Sequence, residues 1–289
     1  MEQTSAKTEL EEGGGSFGPV HIIQPRAKHT HTAILLHGRG STGEEFAEEL
    51  FESNLSSGTS LQDEFPGWRW VFPSSRSLWS TTFKEYMPAW FETRSLTDPA
   101  ARQDLQVPGI KESVTYLRKM LDQEIAMLGG QSENLVLGGI SLGGATAIWT
   151  LLSHPPLLTR GLCAFLGAST WLPFAADIKD VLSDSPRSTS GYEHGIPGFA
   201  EEMVASFRDD IHQTGRRGSL LRTPVFFGHG NDDAYVDVEL GREAADVLSS
   251  IGFNVEWRDY TGAEQEGHWL KVPEEVDDIR AFLNKVASL

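Results

Sequence analysis

Apolar positions along the chain fall into two kinds of run. Short continuous runs, bounded by glycine, proline or charge, predict buried strands at 33–36, 68–72, 135–137, 162–166 and 225–227. Segment 19–23 reads as a short strand, and 254–257 resembles another. Longer stretches instead repeat at three- and four-residue steps. Ile110, Val114, Leu117, Leu121, Ile125 and Leu128 predict the clearest helix, opened by Pro108-Gly109 and ended by Gly129-Gly130. Phe46, Leu50 and Phe51 mark another within 43–51, and 145–152 a third, which stops before His154-Pro155. Leu240, Ala244, Val247, Leu248 and Ile251 share one helical side, as do Val276, Ile279, Phe282, Leu283 and Val286. Strands alternating with amphipathic helices predict an α/β fold, a mostly parallel central sheet with helices on both faces and right-handed crossovers.

One stretch breaks this rhythm. Residues 171–221 separate two core strands by far more than an ordinary connection, with one helix predicted near 200–212. Two readings stand side by side. The segment is a lid whose Trp171, Phe174, Met203 and Phe207 cover an apolar substrate beside Trp90, or it packs only on the outside of the domain. The polar stretch 1–17 is expected to be a mobile leader, and 18–289 a single domain carrying the 171–221 insertion.

Charge narrows the partners. A net charge of -17 repels phosphate backbones and anionic lipid, so nucleic acid is not an expected partner. Cys163 is the only cysteine, which excludes an intramolecular disulfide and a cysteine metal cluster. No apolar stretch approaches the ~20 residues of a membrane-spanning helix, and the first residues lack the apolar core of a secretory signal. The expected location is the cytoplasm, with no metal and no cofactor.

The candidate chemistry lies in the turns after strands. Gly139-Ile140-Ser141-Leu142-Gly143 is a Gly-x-Ser-x-Gly motif set between a strand and a helix. That context suits a nucleophile elbow, in which a tight turn lifts the serine above the sheet edge. The bland reading is a serine that only caps the helix. A serine hydroxyl is a weak nucleophile and needs a base. Gly267-His268 follows the 254–257 strand, and His229-Gly230-Asn231-Asp232-Asp233 follows the 225–227 strand. Serine, aspartate and histidine then occur in the chain order of α/β-hydrolases. Ser141 is the expected nucleophile, His268 the base and Asp233 the acid that orients it, with Asp232 the alternative acid. His37-Gly38-Arg39-Gly40, after the 33–36 strand, suits an oxyanion loop. There the backbone N–H of Arg39 would work with that of Leu142.

These residues resemble the acyl-protein thioesterase and phospholipase/carboxylesterase family of α/β-hydrolases. The resemblance rests on 36–43, 139–144, 229–233, Gly267-His268 and Met87-Pro88-Ala89-Trp90-Phe91-Glu92, and spans about 33–283. It implies an α/β-hydrolase fold and a cofactor-free serine hydrolase. The implied substrates are acyl esters or thioesters, whether small molecules, lipids or acylated proteins. It also implies that Trp90 lies beside the substrate. The sequence departs from the family pattern at Leu142, commonly Gln, at Arg39, commonly Leu, and at Glu92, commonly Asp. Two other classes compete: a lactone-processing or acyl-transfer enzyme with the same triad, and a non-catalytic binding protein on the same fold. A full set of triad positions favours an enzyme.

Overall fold

The computed structural model describes all residues except 1–14, 96–97, 99–100, 155–156, 158–159, 183–197, 215–218 and 289. In chain order its strands are β1 (Val20–Ile23), β2 (His31–Leu36), β3 (Trp68–Pro73), β4 (Arg76–Ser80), β5 (Glu85–Ala89), β6 (Leu135–Ile140), β7 (Ala164–Ala168), β8 (Pro224–Gly230) and β9 (Asn254–Tyr260). The helices are α1 (Gly43–Glu52), α2 (Leu61–Glu64), α3 (Gln106–Met127), α4 (Leu142–Ser153), α5 (Ala175–Leu182), α6 (Phe199–Thr214), α7 (Val238–Ile251) and α8 (Glu274–Ala287). Seven strands form one sheet in the order β1-β3-β2-β6-β7-β8-β9, while β4 and β5 form a separate hairpin. Every pair in the large sheet is parallel except β1 with β3.

Strand alternation divides the core in two. Ile34, Leu36, Leu135, Leu137, Phe165, Val225 and Phe227 point to one face, where they meet α3, α4, α6 and α7. Ala33, Leu35, Val136, Leu166 and Phe226 point to the other, against Phe46 and Leu50 of α1 and Val276, Ile279 and Phe282 of α8. Continuous apolar runs in the sequence are what a sheet covered on both sides requires. Helix α3 begins at Gln106, two residues before the expected Pro108. Proline is tolerated there because the first-turn N–H groups have no partner within the helix.

Residues 1–14 lie outside the described residues, but Phe17, expected in a mobile leader, stacks on Tyr116 at 3.9 Å and lies 6.3 Å from Trp90. Phe174 lies 4.8 Å from Phe199 and 6.3 Å from Trp149 of α4, and all three are buried. Val204 and Phe207 are buried in the same core, and Lys111 Nζ donates to Glu202 at 2.6 Å, tying α3 to α6. The described part of 171–221 thus completes the helical layer over β6 and β7. Phe174 and Phe207 are core residues, not surface left over to cover a ligand.

On the other layer, Glu275 in the first turn of α8 is buried and accepts the N–H of Lys271 at 2.8 Å. Burial pushes its carboxyl up to about 8, opposed by the Lys271 N–H. The unfolded chain releases this proton near 4.5, so between those two values the folded state holds more protons. Stability from this residue is therefore full below the unfolded value and falls as pH rises toward 8. Glu275→Gln keeps an acceptor for Lys271 and removes the titration. The wild-type melting temperature is expected to fall between pH 5 and 8 relative to that of Glu275→Gln, leaving the variant more stable at pH 8. Parallel melting curves across that range would contradict the assignment.

Candidate active site

The carboxyl ends of β2, β6, β8 and β9 converge on one edge of the sheet, where open α/β sheets bind ligands. Strand β6 runs straight into Ser141, which adopts φ 55° and ψ -126° before α4 begins. A left-handed backbone at a non-glycine residue costs about 1–3 kcal/mol and persists only where its surroundings enforce it. Here they do: Ser141 N donates to Ala168 O at 2.9 Å, and its carbonyl accepts Thr170 Oγ1 at 2.7 Å and Ala145 N at 3.0 Å. The turn packs so tightly that a Cβ on Gly143 would collide with the carbonyl oxygens of Leu36 and His37. Ser141 occupies the N-cap position of α4, yet its side chain makes no capping hydrogen bond. The hydroxyl is not spent on capping the helix.

The histidine is held from behind. His268 Nδ1 lies 2.7 Å from Asp233 Oδ2, and the Asp233 side chain is fully buried. The other Asp233 oxygen accepts the N–H groups of Tyr235 at 2.8 Å and Val236 at 2.9 Å. Burial alone would raise the Asp233 carboxyl. Hydrogen bonds from His229 and His268, the charge of His268 and the Val236 N–H instead bring it well below the usual carboxylate range. Asp232 turns the other way and accepts Gly262 N at 2.9 Å, so the geometry pairs His268 with Asp233 and not with its neighbour. Gln265 and Glu266, at φ 50° and 56°, and Gly267 at 84° make the sharp turn that presents His268. A Cβ at Gly267 would press on the Asp232 carbonyl, so that turn needs glycine for both space and φ.

The third loop leaves β2 at His37. A Cβ on Gly38 would lie 3.4 Å from Ser141 Cβ, so this backbone abuts the serine directly. His37 is buried; its Nδ1 donates to Gly38 O at 2.6 Å and its Nε2 accepts Ser75 N at 3.0 Å. Burial lowers its pKa to about 4, with the Gly38 contact opposing, so it is neutral at ordinary pH and serves as a brace. Trp90 is a correction to the sequence reading. It is fully buried behind the loop, donating from Nε1 to His37 O at 2.9 Å. It positions the loop and does not line the cleft.

Ser141, His268, Leu142 and Arg39 do line one cavity of about 510 Å³. Phe46, Phe83, Met87, Ile140 and Trp269 give it apolar walls, and Glu49, Gln265 and Glu266 lie on its polar side. No described residue of 171–221 lines it. Its rim comes instead from the β4–β5 hairpin, through Phe83 and Met87, and from Tyr235, whose ring meets the His268 ring at 5.4 Å. Sequence reading missed these three. The aromatic residues between 79 and 86 were the available signal, and nothing local marked them as rim and not core. His229 was also missed as a support: it is buried, with Nε2 3.3 Å from Asp233 Oδ2.

Comparison with known proteins gives the family. The phospholipase/carboxylesterase family model matches residues 18–195. Acyl-protein thioesterase 1 of Gibberella zeae is 28% identical over 275 residues, covering 94% of this chain and 96% of that one. Acyl-protein thioesterase 1 of Cryptococcus neoformans is 25% identical over 276 residues, covering 90% and 94%. The solved structure of Zea mays acyl-protein thioesterase 2 shares the fold, with a TM-score of 0.64 at 23% identity over 93% of this chain and 99% of that one. With the family model spanning more than half its length, the chain belongs to the phospholipase/carboxylesterase family of α/β-hydrolases and is an ester-hydrolysing enzyme.

Proposed function

We propose that the protein cleaves acyl esters or thioesters through an acyl-enzyme formed on Ser141. The observation that carries this is the pairing of His268 with the buried Asp233 at 2.7 Å, on the same cavity as a strained serine left uncommitted by its helix. Asp233 holds the His268 tautomer whose Nε2 is free to accept a proton. Ser141 Oγ attacks the substrate carbonyl as His268 takes its proton. The backbone N–H groups of Arg39 and Leu142 stabilise the oxyanion. His268 then returns the proton to the departing alkoxide or thiolate, and water releases the acid by the same steps in reverse order. Each step uses the chain's own side chains and backbone, with water as the second nucleophile. The apolar walls at Phe46, Phe83, Met87 and Trp269 suit the acyl chain of a lipid, a small ester or an acylated protein.

A single domain from residue 18, with the described part of the 171–221 insertion serving the helical layer, fits this reading. No helix among the described residues is long and apolar enough to cross a membrane, and a cytoplasmic location accords with the lone, buried Cys163. The test is a fluorophosphonate probe together with matched oxygen esters and thioesters of graded acyl length. Labelling at Ser141 and turnover of both series are expected, with an optimum set by the cavity. Folded protein that neither labels nor hydrolyses any member of the panel would overturn the proposal.

A further inference from the structure

The oxyanion role of Arg39 uses only its backbone and leaves its side chain unexplained. That side chain reaches a second pocket of about 270 Å³, which shares Arg39, Phe83 and Tyr235 with the main cleft. Arg39 Nη2 donates to Thr93 O at 3.0 Å. Its Nε is buried without a hydrogen-bond partner, and so is the Oγ1 of Thr93, a residue only 1% exposed on the wall of the same pocket. Native proteins rarely leave buried donors unmatched, so two on one wall mark a place for an acceptor. The charged residues in the described lining of this pocket have one sign. Arg94 supplies a second guanidinium to the described lining, which holds no carboxylate; Glu49 and Glu266 line the main cleft instead. The acid felt most by Arg39, Glu92, is engaged by Thr81 N at 3.1 Å and Thr81 Oγ1 at 2.9 Å. On a chain of net charge -17, this is a local site for an anion on a surface that otherwise repels one.

We propose that the side pocket is a carboxylate-binding subsite, in which the Arg39 guanidinium and the Thr93 hydroxyl hold a free carboxylate on the substrate. Because the backbone of the same Arg39 serves the oxyanion, the carboxylate lies only a few bonds from the scissile carbonyl. The preferred substrates are therefore small esters or thioesters bearing a second, free acid group. A planar guanidinium matches a planar carboxylate, which lysine does not reproduce.

This proposal rests on the hydrolase reading, and its test separates the two. Two probe pairs are hydrolysed by the full chain: mono-4-nitrophenyl glutarate against its methyl ester, and 4-acetoxybenzoate against its methyl ester. They place the carboxylate in the acyl half and in the leaving group. For at least one pair, the kcat/KM ratio of acid over methyl ester is expected to fall about tenfold in Arg39→Leu, mainly through KM, and less in Arg39→Lys and Thr93→Val. Fluorophosphonate labelling of each variant reports that Ser141 is still assembled. Calorimetric titration of glutarate into the Ser141→Ala protein reads the pocket without turnover, with affinity expected to drop about tenfold when Arg39→Leu is added. Unchanged ratios for both pairs in labelled Arg39→Leu would overturn the subsite, as would inorganic phosphate binding more tightly than glutarate. Glutarate binding lost with Arg39, in a protein that never labels or turns over, would uphold the subsite and sink the hydrolase reading.

Discussion

Ser141→Ala is expected to lower kcat by about a millionfold, the scale of losing the nucleophile from an assembled triad. The fold should survive the change. Alanine meets the same constraint at φ 55° as serine does, so no new strain enters. The bonds that hold the turn are made by the backbone of residue 141, to Ala168, Thr170 and Ala145, and alanine keeps all three. The α4 N-terminus loses no side-chain cap, because the serine provides none. Stability is therefore expected to stay within about 0.5 kcal/mol of wild type. Covalent labelling by a fluorophosphonate should vanish together with turnover. Hydrolysis at the wild-type rate in this variant would move the nucleophile elsewhere.

What could be read from the sequence follows from how local each feature is. The elbow was legible because its requirements lie within a few residues: a buried strand, small residues at 139 and 143, and a helix at once afterwards. The order of Ser141, Asp233 and His268 was legible because each follows its own strand. In the sequence the choice between Asp232 and Asp233 rests only on spacing; in the fold the Gly262 N–H occupies Asp232. Trp90 was misplaced because a tryptophan in a motif carries no sign of which side of a loop it takes. Its burial depends on Phe17, His37 and α3 arriving from distant parts of the chain. The same holds for 171–221. An apolar helix face looks alike whether it covers a substrate or Trp149, and only the packing of Phe174 and Phe199 on that ring decides. The place of the β4–β5 hairpin on the cavity rim is illegible for the opposite reason. Trp79, Phe83 and Tyr86 are large and exposed, and no core periodicity betrays residues that belong to a rim.

Asp233→Asn is expected to reduce kcat by about ten thousandfold while leaving KM close to wild type. The asparagine carbonyl can still accept the Tyr235 and Val236 N–H groups, so the loop after β8 keeps its shape. The amide nitrogen then replaces Oδ2, 2.7 Å from His268 Nδ1 and 3.3 Å from His229 Nε2. Because that nitrogen donates, His268 must accept through Nδ1 and carry its proton on Nε2. An imidazole in that tautomer cannot take the proton of Ser141, so fluorophosphonate labelling should slow along with turnover. The stability consequence has a definite sign. A carboxyl depressed by hydrogen bonds stabilises the folded state above the ordinary carboxylate range and loses that contribution as pH falls through its folded value. The variant should therefore melt below wild type at pH 7, and the gap should narrow in acid. Asp232→Asn keeps an acceptor for Gly262 and leaves His268 oriented, so it should retain most activity. Full turnover in Asp233→Asn with collapse in Asp232→Asn would transfer the acid to Asp232 and break the link between the 2.7 Å contact and catalysis.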